Sequence, residues 1–270
     1  MKKICIAAFM ICSLVVACKT GKKEKVTKEG VSVSPEMSSY ITTLEKQVQQ
    51  KPDSVGLRLI LVRMLDSAGA YKPALMHMDS LIKNDSMNYA LWYKKAQILE
   101  HAKDTQAAII NYTNAVKVYP SPDGLLALAN LYAETKNTNA LLLCKQIDDM
   151  HLGREYYGYT AFFAGIYYER TGNAKQALLL FDKSINYNYT FIDAYMEKGF
   201  VYYDAKQYAE ALKVFQTAVT VNNTYADAYY WQAKTYEALN DKAQAITNYQ
   251  QALALNKNFS EAEEALKRLK

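Results

Sequence analysis

Residues 192–225 read IDAYMEKGFVYYDAKQYAEALKVFQTAVTVNNTY, and residues 226–259 read ADAYYWQAKTYEALNDKAQAITNYQQALALNKNF. The second stretch repeats the first with a shift of 34 positions: Tyr195, Gly199, Tyr202, Ala211, Phe215 and Ala218 become Tyr229, Ala233, Tyr236, Ala245, Tyr249 and Ala252. The i, i+4, i+7 spacing of Tyr195, Gly199 and Tyr202 predicts one helix. Tyr208, Ala211, Leu212, Phe215, Ala218 and Val219 predict a second. The short polar link Asp204–Gln207 turns the chain back, so the two helices run antiparallel. Helices packed about 8–10 Å apart need small side chains at closest approach, which accounts for Gly199 and Ala211, with Phe215 filling the space beside them. Such a pair cannot bury its apolar face alone, and the next pair must cover it.

The same register extends outward. Residues 158–191 carry Ala161, Gly165, Tyr168, Ala177 and Phe181, and residues 89–122 carry Trp92, Ala96, Leu99, Ala108, Tyr112, Ala115 and Pro120. Residues 55–88 hold Val62, Leu65, Ala74, Met78 and Leu81. Residues 123–157 form a degenerate unit with Leu128, Leu131, Ala140, Cys144 and Ile147 and an irregular exit at His151-Leu152-Gly153-Arg154. Residues 35–54 predict an N-terminal capping helix on Met37, Ile41, Leu44 and Val48. Residues 260–270, SEAEEALKRLK, predict a C-terminal capping helix with Ser260 as N-cap and Glu263 completing a capping box. One slot of the first helix is unexpectedly polar: Lys95, Lys198 and Gln232.

This pattern resembles the tetratricopeptide repeat, W-x2-L-G-x2-Y…A-x3-F…P, with Tyr195 in the Trp slot, Gly199 or Ala233 in the Gly slot, and Ala211–Phe215 or Ala245–Tyr249 as A-x3-F. The resemblance implies an all-α, right-handed α-solenoid of about six helix–turn–helix units closed by a terminal helix. It also implies a protein-binding scaffold, not an enzyme.

The N-terminus reads as an address. Lys2 and Lys3 precede an apolar run of 13 residues, Ile4–Val16, shorter than the roughly 20 needed to span a bilayer and suited to a signal peptide over 1–17. Val15-Val16-Ala17-Cys18 resembles a bacterial lipoprotein signal, which implies lipidation of Cys18 and a membrane anchor. Residues 18–34 then form a lipidated, basic tether with no apolar periodicity, expected to be disordered. Its stretch 19–30 holds five Lys and two Glu, whereas the rest of the chain from Val31 balances 25 basic against 25 acidic residues. The basic pI therefore belongs to the tether, which suits anionic headgroups. The folded part has no basic nucleic-acid footprint, and no nucleic-acid partner is expected. Lys19 after Cys18 resembles outer-membrane sorting, so the expected location is the bacterial envelope, on the outer membrane facing the periplasm.

Catalytic motifs are missing from the sequence. His77, His101 and His151 stand apart from one another and from Cys at metal-ligand spacing, and no nucleophile elbow, P-loop or dinucleotide fingerprint occurs. No catalytic residue, metal or cofactor is expected. Cys144, in the aromatic slot of a degenerate A-x3-F, reads as a small buried apolar residue.

In the repeat family, positions 2, 5, 9, 12 and 13 of each unit line a groove that takes a partner segment. Carried over, these are Tyr93 and Gln97 in the second unit and Tyr159, Phe162, Ile166 and Arg170 in the fourth. The fifth supplies Asp193, Met196, Phe200 and Tyr203, and the sixth Asp227, Tyr230 and Lys234. The carboxylate clamp of chaperone-binding relatives is missing at these positions. Two readings of the rings stay open: an aromatic strip in an open groove, or rings packed on one another. The groove implies a segment of an envelope protein as partner. A glycan stacked on the rings is the alternative.

Overall fold

The computed structural model describes residues 25–26 and 32–269. The expected signal peptide and Cys18 lie outside the described residues. Within the expected tether, β1 (Lys25–Val26) pairs antiparallel with β2 (Ser32–Val33). The sequence predicts no regular structure there. This two-residue ladder departs from that where β-branched Val26 and Val33 favour extended backbone.

Fourteen helices follow among the described residues, and two compact units can be separated, one ending at His77 and the other beginning at Met78. In the first unit, α1 (Pro35–Gln50) opens on a Ser34 cap and packs on α2 (Val55–Ser67). Ile41, Leu44 and Val48 of α1 and Leu61, Val62 and Leu65 of α2 are buried. The unit boundary falls within α3 (Tyr71–Asn84).

The second unit continues as antiparallel pairs: α4 (Tyr89–His101) with α5 (Thr105–Val118), α6 (Pro122–Glu134) with α7 (Asn139–Asp149), and α8 (Arg154–Arg170) with α9 (Ala174–Tyr187). Then come α10 (Ile192–Asp204) with α11 (Tyr208–Val221), α12 (Ala226–Ala238) with α13 (Lys242–Leu255), and a single α14 (Ser260–Leu269). Each second helix also packs on the first helix of the next pair. The first helix of a pair ends in a left-handed residue at Lys103, Lys136, Gly172, Lys206 and Asn240. This conformation lets the following amides close back on the last carbonyls, as Lys206 N on Tyr203 O and Gln207 N on Tyr202 O, 2.9 Å each.

The small-and-aromatic slots form a lock between the helices of a pair, in two versions. Where the second helix carries Phe, the first carries Gly: a Cβ on Gly165 would lie 2.6 Å from the Phe181 ring, and one on Gly199 2.3 Å from Phe215. Where it carries Tyr, the first helix carries Ala and, one turn on, Glu. Tyr112 beside Ala96 donates to Glu100, and Tyr249 beside Ala233 donates to Glu237 at 2.5 Å. Four of these residues, Phe181, Phe215, Tyr112 and Tyr249, are essentially inaccessible, each burial contributing about 1.5–3 kcal/mol.

The polar slot also has a purpose. Lys95 pairs with Asp79 and Lys198 with Asp182, each at 2.6 Å, and the buried Gln232 amide donates to Phe215 O at 3.1 Å. All three bonds run from a first helix to the second helix before it, so they fasten one pair to the next.

Two local expectations fail. Helix α8 begins at Arg154, four residues before Gly158, because Gly153 at φ 104° re-aims the chain after the short α7. The capping box at α14 is not made. Ser260 already lies in the helix, with Phe259 O accepting from Ala262 N and Glu263 N, so its hydroxyl bonds Glu261 instead and Glu263 pairs with Lys267.

Candidate functional site

The first helices α8, α10 and α12 carry most of the expected groove residues. On α10, Asp193, Glu197, Phe200 and Asp204 share one stripe by i, i+4, i+7, i+11 spacing. The equivalent stripes are Tyr159, Phe163, Ile166 and Arg170 on α8, and Asp227, Trp231 and Lys234 on α12.

Burial divides the expected residues. Phe162, Ile166 and Met196 are core, 1%, 0% and 4% exposed, and present no surface to a partner. The ring of Phe162 is closed in by Phe181 and by Phe191 of the next link, whose centroids lie 5.9 and 4.8 Å away. Met196 sits among Tyr195, Ala211, Phe215 and Ala228. The fifth position of the repeat is thus core in the fourth and fifth units.

Tyr159, Phe200, Tyr203 and Tyr230 are half-buried. Tyr159 packs edge-on against Phe191 at 5.2 Å. The others converge on Trp231, which lies 4.7 Å from Phe200, 5.4 Å from Tyr203 and 5.8 Å from Tyr230 between centroids. Lys234 places its ammonium 4.4 Å from the Trp231 ring centre and within 6 Å of Tyr203 and Tyr230, a cation–π arrangement. The expected strip is therefore divided into rings that are sealed and rings that stay part-exposed.

In the second repeat, Tyr93 stacks on Tyr89 and meets Tyr112 edge-on. Burial pushes its phenol up to about 12, reinforced by the Tyr89, Asp123 and Glu100 charges and opposed by a bond with Gln97. Tyr93 and Gln97 thus stand together, apart from the α8–α12 face.

Charge is distributed unevenly. Arg170 lies at a junction of three helices, its guanidinium forked on Glu134 of α6 at 3.0 and 3.3 Å and bonded to neighbouring Glu169. Glu197 of α10 is 3.6 Å from the same guanidinium. Burial, above all, raises the Glu197 carboxyl to about 7; Arg170 opposes this, and Glu134, Asp193 and Asp204 add to it. Asp193 and Asp227 are also raised by burial. Burial also raises Tyr225, helped by the charges of Asp227, Asp193 and Glu197.

Glu197 and Trp231 were not among the expected lining residues. Both occupy the sixth position of their units, where α8 has Phe163. A carboxylate in a slot that is aromatic on either side was the available signal.

No group of three or more His, Cys, Asp or Glu among the described residues is arranged to hold a metal. Cys144 is buried, and its thiol is pushed up to about 12 by burial and the Asp148 charge.

Family models for the tetratricopeptide repeat match residues 89–122, 199–240 and 226–259. The fold is an all-α tetratricopeptide-repeat solenoid. Solved structures agree. A tetratricopeptide repeat protein from Parabacteroides merdae superposes with a TM-score of 0.68 at 17% identity, covering 87% of this chain and 92% of that one. PilW, described as a type IV pilus biogenesis factor, gives 0.61 at 18% identity over 86% and 99%. The Cut9–Hcn1 hetero-tetramer of the APC/C gives 0.57 at 16% over 87% and 46%. At these identities the likeness is one of fold. No curated protein sequence matches the chain. Among the described residues no helix is long and apolar enough to cross a membrane.

Proposed function

We propose that this chain is a membrane-anchored envelope lipoprotein that acts as a protein-interaction scaffold, holding a segment of a partner on the face of α8, α10 and α12. The observation that carries the reading is the cluster of half-buried Phe200, Tyr203, Tyr230 and Trp231 beside the carboxylates Asp204, Asp227 and Glu237. Aromatic side chains supply large contact area at small entropic cost and are common at binding hot spots. Trp231 stacks on Phe215 and carries the Lys234 ammonium, and Tyr230 stacks on Phe259, so ring faces of this cluster are already engaged. That favours a peptide over a sugar, which needs an open ring face.

The scaffold reading is tested by capture from solubilised envelope with the full chain and a Tyr203→Ala/Trp231→Ala variant of unchanged helicity. A defined protein lost with the variant supports it; identical captures reject it. The anchor reading rests on the Cys18 signal. Cells fed radiolabelled palmitate should label the wild type and not Cys18→Ser, and fractionation should place the label in the outer membrane. An unlabelled wild type would remove the lipoprotein assignment and leave the scaffold untouched.

A further inference from the structure

We infer that the segment held by α8, α10 and α12 is basic, and that one of its lysines or arginines seats between Asp193 and Glu197. This rests on the scaffold reading and adds the chemistry of the occupant.

The cations of these helices are turned aside or already engaged. The three helices carry seven carboxylates (Glu155, Glu169, Asp193, Glu197, Asp204, Asp227, Glu237) against Arg154, Arg170, Lys198 and Lys234. Two of the four cations are turned away onto α9: Arg154 donates to Asn186 O and stands over Tyr187, and Lys198 pairs with Asp182. Arg170 is committed to Glu134 and Glu169, and Lys234 lies over Trp231. Glu237 is held by Arg268 of α14, and the remaining carboxylates are left in excess.

The Glu197 side chain is only 9% exposed, and the nearest cation, Arg170 Nη1, is 3.6 Å away and already shared. Burying a carboxylate is costly unless its charge is well compensated. A third carboxylate on one guanidinium leaves this junction short of a positive charge, which an incoming ammonium or guanidinium would supply.

The carboxylates also recur with the repeat. Asp193, Asp227 and Glu261 occupy the same position of successive units, 34 residues apart, and Phe191, Tyr225 and Phe259 stand two residues before each. Stacking the pairs turns this into a row of carboxylates beside a row of rings. Such a surface matches an extended segment whose basic side chains lay their hydrocarbon stems on rings and their charges on carboxylates.

The test uses the full chain in detergent and three labelled peptides, (Lys-Leu-Ala)4 and its Gln-for-Lys and Glu-for-Lys counterparts, titrated by fluorescence anisotropy. The Lys peptide should bind at least tenfold tighter than the Gln peptide, and the Glu peptide should bind most weakly. Glu197→Gln and Asp193→Asn should each weaken the Lys peptide by about tenfold, as expected for loss of one charge-assisted bond. Glu210→Gln, exposed on α11, changes net charge equally and should leave the affinity unchanged. The wild type should also bind the Lys peptide more weakly at about pH 6 than at about pH 8, since Glu197 takes up a proton in that interval. The groups facing it are Glu134, Glu169, Arg170, Asp193, Asp204 and Tyr225. Glu197→Gln should flatten that difference, a readout that a fold defect would not reproduce. Equal binding of the Lys and Gln peptides, or unchanged affinity in Glu197→Gln and Asp193→Asn, overturns the basic-segment inference. If the Gln peptide then binds and is lost in Tyr203→Ala/Trp231→Ala, the scaffold face survives without it.

Discussion

The lock between Gly199 and Phe215 can be tested by adding one methyl group. An alanine Cβ at Gly199 would lie 2.3 Å from Phe215 Cε1, 2.6 Å from Cζ and 2.8 Å from Cδ1. The ring cannot swing clear, because it is fully buried and packed on Phe200 and Trp231 at 5.8 and 6.1 Å. Overpacking of this kind costs about 1–3 kcal/mol, offset by the roughly 0.5–1 kcal/mol that alanine gains over glycine in a helix. The expected net loss for Gly199→Ala is about 1–2 kcal/mol. Gly158→Ala is the control, since a Cβ there meets its nearest atom, Tyr187 Cβ, at an ordinary 3.6 Å; it should be neutral or slightly stabilising. Urea unfolding followed by far-UV circular dichroism measures both, with midpoints compared at equal slope. A Gly199→Ala protein as stable as Gly158→Ala would refute the claim that the ring dictates glycine. Gly165→Ala, against Phe181, should behave like Gly199→Ala.

Other predictions follow from single residues. Glu197 has its pKa raised to about 7 by burial, so the native state binds the proton more tightly than the unfolded chain. The associated stability is fully present below about pH 4.5 and is lost as pH rises through 7. Glu197→Gln should therefore be more stable than wild type at about pH 8, by up to roughly 3 kcal/mol. In paired urea titrations that advantage should shrink toward zero near pH 4.5; a pH-independent difference would contradict the burial argument. Lys206→Gly should raise the urea midpoint or leave it unchanged, since Lys206 is held at φ 60° and glycine relieves that strain at an entropic cost of similar size; a clear loss would count against the turn assignment. Cys144 should resist iodoacetamide in the folded protein and react on unfolding, as mass spectrometry would show, because its thiol is buried and pushed up to about 12.

The repeat architecture was legible in the chain because it is written in local, periodic terms. Small residues at Gly199 and Ala211 and rings at Phe215 and Tyr249 recur at helical spacing within a few turns of one another, and hydrophobic burial has one way to satisfy that pattern. The polar residues at Lys95, Lys198 and Gln232 were visible as departures. That they fasten one pair to the helix before it depends on partners such as Asp182, which only packing brings into reach.

The candidate site was legible in part. Position within the repeat placed Tyr159, Phe200, Tyr203, Tyr230 and Lys234 on one set of helices, but it could not say which rings stay open. Phe162 and Met196 share a repeat position with Tyr230, yet the first two are sealed and the third is half-exposed. A ring from the following link lies 4.8 Å from both Phe162 and Tyr230, so the exposure of each is set by its full surroundings, which a repeat pattern does not encode. The same holds for charge. The sequence by itself determined how many carboxylates and cations α8, α10 and α12 carry. Only the tertiary structure decided that Arg154 and Lys198 turn onto α9 while Glu134, Glu169 and Glu197, from three helices, meet one guanidinium. Helix formation is set by neighbours along the chain, whereas the balance of charge at a point in space is set by residues the fold brings there from far along it.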